Sequence, residues 1–329
     1  MLPANMQLAA IIDTMIAEAM KTSEIEGEYL SRKDVASSIR NKLGLNKPAD
    51  TIKDKMAKGA GELMVDIRNT YTAPLAKETL FAWHIMLFGK SNKINTGAWR
   101  THKQPMQVVA GAIGKEKIHF EAPPSSRVAK EMKQFIQWFN NTSPEGAEPI
   151  KYAPVRAAIA HLYFESIHPF EDGNGRIGRA ISEKALSQTV GRPLLLSLSR
   201  TIEADKNLYY KTLQEAQTSN EISNWIKYFV QLCVEAQKQS YQLIDFIVKK
   251  SQFFDRFKHL LNDRQLKVIT RMFDAGPEGF NGGMNAKKYI SITRASKATA
   301  TRDLQYLSEQ GVLIAKGGGR STYYVLNMV

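Results

Sequence analysis

Apolar residues recur at helical spacing along most of the first 260 positions. Met132, Phe135, Ile136 and Phe139 fall at i, i+3, i+4 and i+7, the stripe of an amphipathic helix. Ile159, Leu162, Tyr163 and Ile167 repeat that pattern, as do Ile222, Trp225, Ile226 and Phe229. The stretch from Asn224 to Lys250 holds no Pro or Gly and continues through Leu232, Ala236, Leu243 and Ile247, which predicts one long helix. One segment breaks the rhythm. From Pro105 to Glu121, Val108-Val109 and Ile118-His119-Phe120 flank Gly111 and Gly114, the pattern of a β-hairpin, and Pro123-Pro124 stop it.

The texture changes again around Gly276-Pro277 and Gly282-Gly283. Helical patterns over Arg264 to Phe273, Asn285 to Ser291 and Ser296 to Gln310 are followed by Val312-Leu313-Ile314 and Tyr323-Tyr324-Val325-Leu326, set around Gly317-Gly318-Gly319. Helix, helix-turn-helix, hairpin is the plan of a winged helix. The expected organisation is therefore a helical lead-in over residues 1–48, a core over 49–255 and a winged helix-turn-helix over 256–329. The fold class is mainly α, with one hairpin inserted in the core and an α+β module at the C-terminal end.

Composition narrows the function classes. Of 329 residues, 43% are hydrophobic and 23% charged, as in a globular protein, and the single cysteine, Cys233, excludes a disulfide framework. Neither a signal-peptide pattern nor an apolar run of membrane-spanning length is present, which leads us to expect a cytoplasmic protein with no membrane partner. The 45 Lys+Arg against 32 Asp+Glu give a net charge of +13 and point to anionic partners. Between Asn262 and Val329, ten basic residues face five acidic ones. Ser296, Lys297, Thr299, Thr301 and Arg302 on the second helix of the corner, and Arg320 in the wing, are the candidate DNA contacts there. Winged helices also serve as dimerisation or protein-docking modules, and a homodimer is compatible with this chain.

Chemistry is concentrated in one run, His168-Pro169-Phe170-Glu171-Asp172-Gly173-Asn174-Gly175-Arg176-Ile177-Gly178-Arg179. It joins a helix ending near Ile167 to one expected over Ile177 to Leu186. Gly173 and Gly175 let successive N–H groups form a concave nest for anionic oxygens, and the start of the next helix adds its positive end. Arg176 and Arg179 share one helix face and can clamp phosphates bidentately. Asp172 is a hard-oxygen ligand suited to Mg²⁺, and His168 can act as a general base near neutral pH. Together these describe a nucleotide-phosphate site. The embedded G-x-G-x-x-G follows a helix and His-Pro rather than a strand, so it is not a dinucleotide-binding fingerprint, and no P-loop or kinase signature occurs.

This run resembles the signature of the Fic family, His-Pro-Phe-x-Asp/Glu-Gly-Asn-Gly-Arg-x-x-Arg, at every specified position. The resemblance implies an all-helical core and transfer of AMP from ATP to a hydroxyl of a protein Ser, Thr or Tyr. It implies His168 as the base and Asp172 as the Mg²⁺ ligand. Gly173, Asn174, Gly175 and Arg176 would then lie on the α- and β-phosphates, with Arg179 on the γ-phosphate. It also implies that the hairpin is a flap docking the target segment, with Gln107, Val108 and Val109 as its docking strand. Tyr209-Tyr210 resemble paired tyrosines near the nucleotide; ordinary core aromatics are the alternative.

Upstream, Thr22-Ser23-Glu24-Ile25-Glu26-Gly27 resembles the family's inhibitory pattern, Ser/Thr-x-x-x-Glu-Gly/Asn. That resemblance places Thr22, Glu26 and Gly27 in an inhibitory element whose glutamate pairs with Arg179, leaving ATP misplaced for attack. In proteins of this kind a further N-terminal stretch often precedes such a lead-in. The expectation is an autoinhibited adenylyltransferase that also modifies itself. Two alternatives stand beside it: an enzyme that removes AMP, with Glu26 positioning water, and a DNA-binding regulator with a nucleotide-sensing core. His161 is expected to pack or cap, and His84, His102, His119 and His259 have no chemical constellation around them in the sequence.

Overall fold

The structure, a computed structural model, describes residues 3–89, 94–104, 106–110 and 117–328, with backbone alone at 5, 107–110, 117–119 and 320. It is 65% helix. In chain order the elements are α1 (Ala4–Ile25), α2 (Arg32–Lys42), α3 (Lys55–Asn69), α4 (Lys77–Phe88), β1 (Gln107–Ala110), β2 (Lys117–Glu121), α5 (Ser125–Asn141), α6 (Ala153–Ile167) and α7 (Asn174–Val190). There follow α8 (Leu198–Ala204), α9 (Lys206–Gln217), α10 (Ser223–Phe257), α11 (Asp263–Phe273), α12 (Ala286–Thr293), α13 (Lys297–Glu309), β3 (Leu313–Lys316) and β4 (Tyr323–Leu326). Residues 11–238 form one compact unit, and residues 239–329 with the first ten form the other.

The larger unit is a helical bundle around one apolar core. The lead-in shares that core: Ile12, Met15, Ile16 and Ala19 of α1 and Val35 and Ile39 of α2 are buried with residues of α3 to α9. Glu18 of α1 is buried and accepts hydrogen bonds from Ser197 Oγ at 2.7 Å, from the Ser199 N–H at 3.0 Å and from Ser199 Oγ. Its charge thus faces the open N-terminal end of α8, where a carboxylate is favoured.

Helices α6 and α7 carry the loop of interest between them. Small residues fill their buried faces, Ala157, Ala158 and Ala160 on α6 and Gly178, Ala180 and Ala185 on α7. Arg156, fully buried, stacks 4.5 Å from the Phe139 ring and donates to the Phe139 and Ala185 carbonyls, tying α5, α6 and α7 together. Burial lowers its pKa to about 10.

The hairpin pairs antiparallel, with Gln107 opposite Glu121, Val108 opposite Phe120, and a bulge between Val108 and Val109. Its expected closing glycines lie outside the described residues. The long helix runs past both expected ends, as Ser223–Phe257. No described helix is long and apolar enough to cross a membrane.

The smaller unit has its own core, led by Phe253, Phe257, Val268, Ile269, Met272, Phe273, Tyr289, Leu304 and Leu307. Asn262 and Gln265 form a reciprocal capping box on α11, while Asn285 and Ser296 cap α12 and α13. Buried Asp303 of α13 receives the Arg264 guanidinium at 2.7 and 3.1 Å, the Tyr289 hydroxyl at 2.7 Å and the Gln265 amide at 3.3 Å. That single carboxylate joins three helices. β3 and β4 pair antiparallel, and Met284 bridges to Tyr324 beside them.

Candidate functional site

The loop from His168 to Gly173 is held from several sides. His168 ends α6 in the left-handed region, with φ 50°, and its N–H still bonds the Phe164 carbonyl at 3.0 Å. Pro169 blocks continuation of the helix. Phe170 is buried and stacks on His84, with ring centroids 4.2 Å apart, while Trp99 and Phe81 pack around it. Gly173 sits at φ 78° as the cap of α7, and a Cβ there would stand 2.6 Å from the Phe88 ring. The helix then starts three residues earlier than its apolar pattern suggests, because Asn174 and Gly175 already have helical geometry.

Asn174 is a brace. Its buried amide accepts from the Phe170 N–H and donates to the Phe170 carbonyl, both at 2.9 Å, closing the loop on itself. The side chain is therefore committed, while the first-turn N–H groups of Asn174, Gly175 and Arg176 have no carbonyl four residues back to bond. Asp172 Oδ1 accepts the Gly173 N–H at 2.6 Å, and the Asp172 side chain is 56% exposed.

Two residues that the sequence left without a role hold this loop. His84 is fully buried; its Nδ1 accepts the Gly97 N–H at 2.9 Å, so its Nε2–H donates to the Asp172 carbonyl at 3.2 Å. Burial lowers its pKa, which keeps this neutral tautomer. Arg100, also buried, donates from Nε to the His168 carbonyl at 2.8 Å and from Nη2 to the Pro123 and Ile167 carbonyls. Neither residue belongs to a local pattern, since His84 lies 88 residues from Asp172.

Arg176 and Arg179 are each 2% exposed at the side chain, and both are engaged by the end of α1 or the chain that leaves it. Arg179 donates Nε to Thr22 Oγ1 at 2.7 Å and Nη2 to the Thr22 carbonyl at 2.9 Å and to Glu26 Oε1 at 2.7 Å. Burial opposes its charge, but Glu26 together with Tyr209 and Tyr210 outweighs that and raises the guanidinium pKa. Arg176 bonds Glu28 Oε2, stands 3.7 Å from Asp172 Oδ1 and lies 4.8 Å over the Phe88 ring. Glu28, like His84 and Arg100, had no role assigned from the sequence. Its only signal was the alternation Glu26-x-Glu28 just past a turn at Gly27, which has φ 82°.

Glu26 lies directly on the nest. A Cβ on Gly175 would stand 2.2 Å from Glu26 Oε1, so only glycine admits the carboxylate there. Among the described residues Arg179 Nη1 and Arg176 Nε have no hydrogen-bond partner. Two buried guanidiniums thus keep unused donors beside an anion nest, an arrangement in which further anionic oxygen is favoured.

The two tyrosines separate. Tyr209 is a core residue whose hydroxyl bonds His161 Nε2 at 2.7 Å, and His161 Nδ1 in turn lies 3.1 Å from Ser182 Oγ. Tyr210 is half-buried, and burial with the nearby Glu26 charge raises its phenol pKa. Of the hairpin, the backbone of Gln107, Val108 and Val109 is described but not their side chains. In the smaller unit, Ser296 and Thr299 bond one another as part of the α13 cap, Thr301 bonds the Lys297 carbonyl, and Lys297 and Arg302 are exposed. The Arg320 side chain lies outside the described residues.

A short elbow between two helices thus brings two glycines, a histidine and two buried arginines together, a set of groups suited to anionic oxygen. Residues 74–186 match the model of the Fic/DOC family, and residues 1–45 match that of a domain of unknown function, DUF4172. Protein adenylyltransferase Fic of Nematostella vectensis is 28% identical over 141 residues, 43% of this chain and 30% of that protein. Protein adenylyltransferase fic-1 of Caenorhabditis elegans is 27% identical over 139 residues, 42% of this chain and 23% of that protein. The chain thus spans less than a third of these relatives. Among solved structures, a Fic family protein from Desulfovibrio desulfuricans aligns over 95% of this chain and 86% of its own, with TM-score 0.54 and 20% identity. A Fic domain containing signaling protein from Bacteroides thetaiotaomicron covers 76% of this chain and 91% of its own, with TM-score 0.57 and 17% identity. These two likenesses concern the fold.

Proposed function

We propose that this chain is a protein adenylyltransferase held in an inhibited state by its own lead-in. The observation that carries the reading is the seating of Glu26 on Gly175 and Arg179, where a nucleotide's phosphate oxygens would go. Glu28 does the same to Arg176, so two carboxylates occupy two guanidiniums. With both displaced, the first-turn N–H groups of α7 and the two arginines bind the triphosphate of ATP, with Arg179 on the γ-phosphate. His168 takes the proton of the acceptor hydroxyl. The hydroxyl oxygen bonds the α-phosphorus as the bond to pyrophosphate breaks, and pyrophosphate leaves with the electron pair. Positioning and charge stabilisation supply most of the acceleration.

Asp172 suits a divalent cation shared with the phosphates: its carboxylate is more than half exposed and offers hard oxygen. Mg²⁺ held there would neutralise phosphate charge. Among the described residues no cluster of three or more ligating side chains exists, so the phosphates themselves would supply the remaining ligands. The hairpin strand over Gln107–Ala110 supports docking of a target segment by strand addition.

The test is incubation with α-labelled ATP. Wild type is expected to label itself weakly, Glu26→Gly strongly, and Glu26→Gly with His168→Ala not at all. An unchanged rate in Glu26→Gly overturns the inhibitory role, and persistent labelling without His168 overturns its role as base. Release of AMP from a modified target that requires Glu26 would favour the opposite reaction.

A second reading concerns residues 239–329 alone. Exposed Arg294, Lys297, Arg302 and Lys316 lie on the α12–α13 corner and the β3–β4 hairpin, in keeping with a winged helix that contacts DNA. Loss of salt-sensitive DNA binding in Lys297→Ala with Arg302→Ala would support it. No binding by the wild-type chain at low salt would exclude it.

A further inference from the structure

Glu165 in the last turn of α6 is a buried carboxylate with an unusual lack of partners. The residue is 5% exposed, and Oε1 has no hydrogen-bond donor among the described residues. Burying a carboxylate without donors is costly, so its presence calls for a compensating group. His168 is placed to be that group: its Nδ1 stands 3.6 Å from Glu165 Oε2 and, among the described residues, has no hydrogen-bond partner.

Several features bring the two together. The left-handed turn at His168 folds its ring back over the final turn of α6, toward the residue three positions earlier. Arg100 fixes that turn through the His168 and Ile167 carbonyls. On the other side, Gly178 leaves room for the carboxylate, since a Cβ there would stand 2.2 Å from Glu165 Oε1. Burial would raise the Glu165 pKa, but His168, His161 and Arg179 together hold it below the usual carboxylate value, so the group is ionised.

We propose that Glu165 is the positioning residue for His168. It accepts the Nδ1–H, which leaves the Nε2 lone pair for the acceptor hydroxyl, and its negative charge balances the imidazolium formed when that proton arrives. The inference rests on the adenylyl-transfer reading with His168 as base. In the step itself the hydroxyl O–H bond breaks and its proton moves to His168 Nε2. The new O–P bond forms, the bond to pyrophosphate breaks, and Nδ1–H stays with His168, tightened toward Glu165. Removal of the carboxylate that orients a catalytic histidine in other enzymes lowers kcat by up to about 10⁴-fold. An ordered but longer contact is expected to give roughly 10²-fold here.

The experiment uses the full chain carrying Glu26→Gly, alone and with Glu165→Gln or Glu165→Leu. Glu165→Gln retains an acceptor for Nδ1–H without the charge; Glu165→Leu removes both. Self-labelling kcat is expected to fall about 10²-fold in Gln and further in Leu, with KM for ATP within about threefold. Separately, ¹⁵N shifts of His168 report the tautomer without any turnover. Nδ1–H is expected in the Glu26→Gly chain and in Gln, and a mixture with Nε2–H in Leu. Equal kcat in Gln and parent, or an unchanged tautomer in Leu, overturns the proposal. If the Glu26→Gly parent transfers no AMP, the adenylyl-transfer reading fails, while the tautomer still decides whether Glu165 orients His168.

Discussion

Replacing Glu28 with Gln preserves the shape of the side chain and removes its charge, so it isolates the contact with Arg176. The partners' side chains are 2% exposed for Arg176 and 26% for Glu28. A hydrogen bond to a charged group contributes about 1.5–3 kcal/mol net, and tenfold corresponds to about 1.4 kcal/mol. If nucleotide phosphate competes with Glu28 for that guanidinium, Glu28→Gln raises kcat/KM for ATP in self-labelling by roughly 10- to 150-fold. The geometry of Arg176 should survive, because the Phe88 ring and Asp172 still flank it. Initial rates over an ATP series are measured for wild type, Glu28→Gln, Glu26→Gly and the double variant. Glu26 acts electrostatically on Glu28, so the double variant is expected to depart from the product of the single effects, and the departure measures their coupling. Burial, only partly offset by Arg176, raises the Glu28 pKa above the usual carboxylate value. Its protonation as pH falls should therefore narrow the ratio between Glu28→Gln and wild type. Rates for Glu28→Gln within twofold of the matched parent, with and without Glu26→Gly, refute the competition.

Three further outcomes follow from the packing. Phe170→Ala removes a fully buried ring from between His84 and Trp99 and is expected to destabilise the larger unit by about 3–5 kcal/mol, read by urea denaturation; a loss below 1 kcal/mol would mean that the loop does not depend on that anchor. Burial and the neighbouring Glu18, partly countered by Arg68, raise the Glu183 pKa from 4.5 to about 8. The native chain then holds a proton that the unfolded chain has released, so stability falls as pH rises through that window. Glu183→Gln should have a urea midpoint above wild type at pH 9 and close to it at pH 5, and an equal difference at both pH values would contradict the assignment. Asp303→Ala strips the acceptor from the Tyr289 hydroxyl and the Gln265 amide and should cost about 1–3 kcal/mol, seen as a lower unfolding midpoint of residues 239–329; an unchanged midpoint would show the network to be dispensable.

The helical periods were legible because amphipathic spacing is a local property: α6 ends at Ile167 where its stripe ends, and α13 lies between Ser296 and Gln310 as expected. The 168–179 run stood out for a similar reason, since its glycines, its arginine pair and its histidine all lie within twelve residues. Other elements were not. The early start of α7 depends on the brace between Asn174 and Phe170, and the assignment of Tyr209 to the core depends on His161, 48 residues away.

The sequence by itself marked out α5, α6, α10, α11, α13 and the two hairpins, and the twelve-residue run proposed for phosphate chemistry, because spacing along a chain is a local property. Tertiary structure alone decided what those residues meet. Glu28 reaches Arg176 across 148 positions, and His84 and Arg100 fix loop carbonyls 68 to 88 positions away. Such contacts follow from how buried charges find partners once the helices pack. No local pattern encodes them, since a glutamate that occupies an arginine and one that faces water have the same neighbours in sequence.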